Sequence, residues 1–217
     1  SKMKFSDIDF GALKHMVDSL TEEEKESLSN MARNMAKNMP ESMNQAAQNF
    51  QQELEEEDNA LDYIDYLGID ENLANDLDGQ TLSMLESGSD MEQYYSDIEE
   101  ADLSASVLFY TKALLSLCRK YAAPRLADAG LTKFERPETT TLYDYAWQLG
   151  QSEAMERLSD EKHPARFFAD LSVVLMQAYV LLQRSEYEFI SQRDLQVLKD
   201  AMFSHHLLAD LYSLKKD

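Results

Sequence analysis

Apolar residues recur at intervals of three and four along most of this chain, the spacing that places side chains on one face of an α-helix. The spacing is clearest after Asp102, where Leu103, Val107 and Tyr110 begin a run of this kind. Four long helices are predicted near 103–122, 141–150, 164–183 and 191–214. We expect them to form the hydrophobic centre of an all-α, mostly antiparallel bundle.

The segment 164–183 is apolar on almost every side, which is typical of a helix surrounded by other helices. We therefore expect it to be the central helix of the fold. Its longest apolar stretch, 171–182, is about a dozen residues long, short of the roughly 20 that a bilayer requires. We expect no membrane span.

The first hundred residues carry weaker helix signals. Thr21 with Glu24 forms a capping box for a helix that should run to about Met39, and Pro40 would open a second helix over 41–57.

After that second helix, Gly68, Gly79 and Gly88 allow only short helices, and Ser89 could cap the next one. We expect residues 1–100 to form an acidic, Met-rich and less regular helical layer. Residues 101–217 would form the bundle core, and the two regions would belong to one continuous domain.

Charge is unevenly distributed along the chain, whose net charge is -21. Residues 38–111, called the acidic window below, contain 19 Asp and Glu and no Lys, Arg or His, whereas the other 143 residues hold 20 basic and 22 acidic groups. A negative field of this kind favours cationic partners and opposes the approach of nucleic acid. A solvated helix end is the alternative explanation for the acidic run around 53–58.

Two sets of residues are candidates for holding a partner. Methionines at every fourth position form a stripe of flexible thioethers that can adapt to an apolar partner, although packing of the stripe in the protein's own core is the favoured alternative. Tyrosines lie among carboxylates in the acidic window, a mixture suited to Lys and Arg side chains, although the rings could instead anchor short helices. The candidate residues are Met31, Met35, Met39, Met43, Glu55, Glu56, Glu57, Asp62, Tyr63, Asp65, Tyr66, Tyr94 and Tyr95.

Motifs for phosphate loops, dinucleotide binding, nucleophile elbows and zinc proteases are absent from the sequence. The single cysteine, Cys118, excludes an internal disulfide, and we expect a buried thiol and a cytoplasmic protein. His206 with Asp210, and His163 with Asp160, have spacings that could serve a metal, but no Glu-x-x-His motif accompanies them. We expect no cofactor and no bound metal.

The sequence thus favours a non-enzymatic acidic protein-binding module, such as a chaperone, adaptor or immunity-type inhibitor, for a basic or amphipathic protein partner. One alternative is a helical metal-dependent enzyme that uses carboxylate and His ligands. Another is a structural subunit with no specific ligand. Neither nucleic acid nor a membrane is an expected partner, and the sequence does not indicate the oligomeric state.

Overall fold

In the computed structural model, the described residues are 18–36, 48, 49, 52 and 62–217, and the regular elements among them are all helical. The predicted all-α class is therefore confirmed. The chain divides into two compact units, residues 1–61 and residues 62–217. Residues 62–100 thus belong to the same unit as the predicted bundle core.

In the first unit, helix α1 spans Glu22–Ala36. The Glu24 amide donates to Oγ1 of Thr21 at 3.3 Å, so the predicted cap is confirmed. The predicted helix end near Met39 lies outside the described residues. So does the predicted helix over 41–57, apart from the helical residues 48, 49 and 52.

From residue 62 onward the backbone is described throughout and forms ten α-helices joined by short turns. Two π-helical segments and a 3₁₀ turn interrupt the series at Cys118–Ala122, Asp200–Ser204 and Pro137–Thr139. The helices are α2 Asp62–Leu67, α3 Glu71–Asp76, α4 Gly79–Tyr94, α5 Ser104–Leu117, α6 Ala123–Asp128, α7 Leu142–Leu149, α8 Ser152–Leu158, α9 Ala165–Arg184, α10 Gln192–Lys199 and α11 Leu207–Tyr212.

Helix α5 is the centre of this unit, because α4, α7, α9, α10 and α11 all contact it. Its residues Val107, Tyr110 and Leu114 are completely buried. The expectation that the segment 164–183 is the central helix is wrong, since α9 buries one face and leaves large apolar side chains exposed on the other.

One of the glycines that were expected to limit helix length lies inside a long helix. Helix α4 includes Gly88, whose missing side chain makes room for α5: a Cβ at this position would lie 2.5 Å from Cε1 of Tyr110. Ser106 Oγ on α5 also donates to the Gly88 carbonyl at 2.8 Å. The prediction that Ser89 caps a helix is wrong. Ser89 lies buried inside α4, where it accepts a hydrogen bond from Gln93.

The predicted helix over 191–214 begins as expected but is not continuous. Ser191 and Asp194 form a capping box that starts α10. The π-helical segment follows, and His206 then adopts a left-handed conformation with φ of 64°, after which α11 begins at Leu207. A residue in this conformation cannot continue a right-handed helix, so the chain turns there.

Among the described residues, one helix, α9, is long and apolar enough by length and composition to cross a membrane. Its most apolar window has a mean hydropathy of 1.5, and 28% of that window is buried. Core helices of water-soluble proteins can satisfy the same two criteria, so a single helix of this kind decides little. The absence of a membrane span stays a prediction.

Substituting Gly88→Ala should destabilise the second unit by about 1 to 3 kcal/mol, because the new methyl group would force the buried Tyr110 ring out of place. Urea unfolding followed by the fluorescence of Trp147, the only tryptophan, reports on this unit. Gly79→Ala is the matched control, since nothing lies within 4 Å of a Cβ there. A Gly88→Ala protein as stable as the Gly79→Ala protein would contradict this packing.

Candidate protein-binding groove

Helix α9 divides into a covered face and an open face. Phe168, Leu171 and Leu175 point into the core and are almost fully buried. On the opposite side, Val173 and Val180 are 57% and 49% exposed. Both faces of α9 are apolar, and the structure buries one of them and leaves the other uncovered.

Helix α10 presents a second open apolar surface beside this one. Leu195 and Leu198 are buried against the core, whereas Val197 is 66% exposed. Between the open faces of α9 and α10 runs a groove of about 420 Å³. Nine of its twelve lining residues are apolar: Val173, Val174, Met176, Ala178, Val180, Leu181, Val197, Leu198 and Ala201, with Gln177, Arg184 and Asp194 completing the lining.

An ion pair joins the two walls at one end of the groove. Nη2 of Arg184, at the end of α9, lies 3.5 Å from Oδ2 of Asp194 in the first turn of α10. Burial alone would raise the pKa of Asp194, but hydrogen bonds from Ser191 and the Arg184 guanidinium hold it below its usual value. Arg184 also donates to Glu188 at 2.6 Å. The groove therefore ends in charges that are already paired.

The position of α10 is fixed by a buried carboxylate on α4, Glu92, which is 1% exposed. Nζ of Lys199, at the end of α10, donates to Oε1 of Glu92 at 2.7 Å. Hydroxyl groups of Tyr110 and Tyr66 donate to the same carboxylate at 2.8 and 3.0 Å. A carboxylate removed from water is tolerated only when paired and hydrogen-bonded in this way, so Glu92 determines where Lys199 must lie.

Two further contacts strengthen this anchor. The Lys199 ammonium lies 4.6 Å from the centre of the Tyr66 ring, within range of a cation–π interaction. Burial, and then the negative charge of Glu92, raise the pKa of Tyr66 to about 12, so its hydroxyl stays protonated at a pH where an ordinary tyrosine ionises. Ile190, just before α10, is held by two hydrogen bonds of 3.0 Å: the Leu103 amide donates to the Ile190 carbonyl, and the Ile190 amide donates to Oδ1 of Asp102.

The other wall is held by a different neighbour. Ser172 Oγ on α9 donates to the Ala146 carbonyl of α7 at 2.6 Å, and the Tyr179 ring packs 5.6 Å from that of Tyr143. Tyr143 in turn stacks on Trp147, and both rings are about half exposed. Helix α9 is thus fastened to α7 on one flank, while α10 is fastened to α4 and α5. The groove lies where the two helices are held apart.

The candidate residues from the sequence do not line this groove. Tyr63 is buried, which supports the alternative that it anchors a short helix, and Tyr66 binds Glu92. Asp65 and Tyr94 are exposed, and Tyr95 is half-buried with its ring edge toward Tyr94.

The remaining candidates lie outside the described residues or have side chains that are not described, so their roles stay predictions. They are Met31, Met35, Met39, Met43, Glu55, Glu56, Glu57 and Asp62.

Among the described residues of the acidic window, some carboxylates have counter-ions within the chain. Besides the pair of Glu92 with Lys199, Asp78 lies 3.3 Å from Nζ of Lys120 and caps α4. These two carboxylates therefore serve the fold and are not free to bind a partner. Other carboxylates of the window are exposed: Asp65, Asp70, Glu71, Asp76, Asp90, Asp97, Glu99, Glu100 and Asp102.

The alternative of a metal-dependent enzyme gains no support from the described part of the chain. No group of three or more His, Cys, Asp or Glu side chains there is placed to hold a metal ion. His163 is buried and hydrogen-bonded on both ring nitrogens, and Cys118 is fully buried, with the pKa of its thiol raised by that burial.

Substituting Lys199→Met should destabilise the second unit by about 3 to 5 kcal/mol, because it leaves the buried Glu92 carboxylate without its cation. The matched control is Lys120→Met, whose partner Asp78 is partly exposed and for which we expect about 0 to 1 kcal/mol. Urea unfolding of both variants measures the difference. Equal losses in the two variants would show that the Glu92 pair does not anchor α10.

Comparison with known proteins adds no assignment to this geometry. No family model, no curated protein and no solved structure matches the chain. The chemistry of the groove and of the surrounding surface is therefore what indicates a function.

Proposed function

We propose that the protein is a binding module that holds an amphipathic, basic helix of a partner protein in the groove between α9 and α10. The observation that carries the proposal is the open apolar face of α9, where Val173 and Val180 are about half exposed beside the exposed Val197 of α10. Contiguous exposed apolar surface with a polar rim is characteristic of protein-binding sites.

The dimensions of the groove suit a helix. From Val173 to Arg184, α9 rises about 16 Å, which is three turns. An amphipathic helix presents apolar side chains at intervals of three and four, so one face could lie along this length between two helical walls. The paired charges of Arg184 and Asp194 would stop the apolar contact at that end.

The charge of the partner follows from the net charge of the second unit as a whole. Residues 62–217 contain 28 Asp and Glu against 14 Lys and Arg, and most of these carboxylates are exposed. Such a surface attracts a cationic segment and repels an anionic one, mainly through the rate of association. The exposed carboxylates of the acidic window contribute to this field without contacting the partner in the groove.

Substituting Val180→Glu should weaken binding of a leucine–lysine amphipathic helical peptide of about 14 residues by about tenfold or more, through lost apolar burial. Because the peptide is positively charged, the added carboxylate alone would strengthen binding, so a loss reports on apolar contact. Fluorescence anisotropy of the labelled peptide measures the dissociation constant.

The matched control is Ile98→Glu, which adds the same charge at a side chain of similar exposure, 51%, away from the groove. A leucine–glutamate peptide of the same length should bind more weakly than the basic peptide. Equal weakening by both substitutions would contradict the proposal. So would binding to neutral phosphatidylcholine vesicles without binding to the peptide, since that result would make the open face of α9 a membrane contact.

A further inference from the structure

A carboxylate, an imidazole and a hydroxyl lie in a hydrogen-bonded row near the C-terminal end of the second unit. Asp160 and His163 belong to the loop between α8 and α9, and Ser213 directly follows α11. Nδ1 of His163 lies 3.1 Å from Oδ1 of Asp160, and its Nε2 lies 3.0 Å from Oγ of Ser213. Residues distant in the sequence are thus joined in the order used by serine hydrolases.

The orientation of the imidazole is fixed from several sides. The amide of His163 donates to Oδ1 of Asp160 at 2.7 Å, while the Asp160 amide donates to the His163 carbonyl at 2.9 Å. The imidazole is 3% exposed, and the Phe167 ring packs 4.7 Å from its centre. Because an ionised carboxylate can only accept, Nδ1 of His163 donates to Asp160, and Nε2 faces the hydroxyl of Ser213.

Asp160 is held ionised by its neighbours. Burial alone would raise its pKa, but hydrogen bonds from the amide and imidazole of His163 keep the pKa of this carboxyl below its usual value. Nη1 of Arg125 lies 3.5 Å from the second carboxylate oxygen. A carboxylate in this position stabilises the imidazolium that forms when the ring takes up a proton.

The hydroxyl of Ser213 has two acceptors within reach. One is Nε2 of His163, and the other is the Asp210 carbonyl oxygen at 2.6 Å. The side chain lies at the edge of an open cavity of about 860 Å³, which is also lined by the cations Arg125, Lys162, Lys215 and Lys216 and by the carboxylates Asp160, Glu161 and Asp217. The cations outnumber the carboxylates, and Asp160 is already paired with Arg125, so the cavity favours acyl groups that carry a negative charge.

We propose that Ser213, His163 and Asp160 form an esterase site for small esters with an anionic acyl group. Oγ of Ser213 attacks the ester carbonyl carbon and its proton passes to Nε2 of His163. The carbon–oxygen bond to the alcohol breaks, and the alcohol leaves with that proton. Water then attacks the carbonyl carbon of the acyl-serine and gives a proton to Nε2 of His163. The bond from that carbon to Oγ breaks, His163 returns the proton to Oγ, and the acid is released. Lys215 or Arg125 supplies positive charge for the oxyanion.

The first test is labelling of the full-length protein with a fluorophosphonate, which bonds to an activated serine oxygen and releases fluoride. Mass spectrometry of the digested protein should locate the adduct at Ser213. Ser96 is the internal control, because its Oγ donates to the Gln93 carbonyl at 2.7 Å, the same local geometry as Ser213 but without an imidazole. Absence of an adduct at Ser213, or equal labelling of Ser96, would overturn the proposal.

The second test is hydrolysis of 4-nitrophenyl hemisuccinate compared with 4-nitrophenyl acetate. Ser213→Ala and Asp160→Asn should lower kcat/KM for the hemisuccinate by about 100-fold, whereas Ser96→Ala should leave it unchanged. His163→Gln should have the same effect as Ser213→Ala, with circular dichroism to confirm folding. Rates that survive Ser213→Ala would show that the three residues only clamp the loop to the C-terminal turn. This site shares no residue with the groove, so either proposal can fail alone.

Discussion

The arrangement of the second unit depends on one buried carboxylate. Glu92 lies inside the helical layer formed by α4 and α5, where an ion without a partner would be strongly destabilising. It is tolerated because Tyr110, Tyr66 and Lys199 all donate to it. Since Lys199 ends α10, the requirement of Glu92 for a cation also determines the position of a helix from the far end of the chain. The pairing of Glu92 with Lys199 thereby fixes how α10 packs against α4, two helices that are distant in the sequence.

The positions of α9 and α10 leave apolar surface uncovered. Helix α10 is held toward α4, and α9 is held toward α7 by the bond from Ser172 to Ala146. Both helices contact α5, but their outer faces do not close over one another, and Val173, Val180 and Val197 stay exposed. Burying these side chains would be favourable, at about 25 cal/mol for each Å² of apolar surface. The fold therefore retains exposed apolar surface, which the proposed partner helix would cover.

Features set by neighbours in the sequence were predicted well, and features set by distant residues were not. The cap at Thr21 and the helix start at Ser191 depend on side chains within three residues, so their sequence signals were sufficient.

Gly88 was misread because its role is to admit the ring of Tyr110, which the glycine alone does not reveal. The groove was missed for a related reason: an all-round apolar sequence in α9 does not say which face is covered. Likewise, the acidic window gave no sign that Glu92 finds its cation in Lys199.

Valine methyl groups allow the most direct test of the groove. The chain has six valines, and Val173, Val174, Val180 and Val197 line the groove, whereas Val107 is fully buried in α5. In a methyl NMR titration of valine-labelled protein with the basic amphipathic peptide, the four groove signals should shift together while the Val107 signal stays in place. Peptide binding that leaves all four groove signals unmoved would contradict the account.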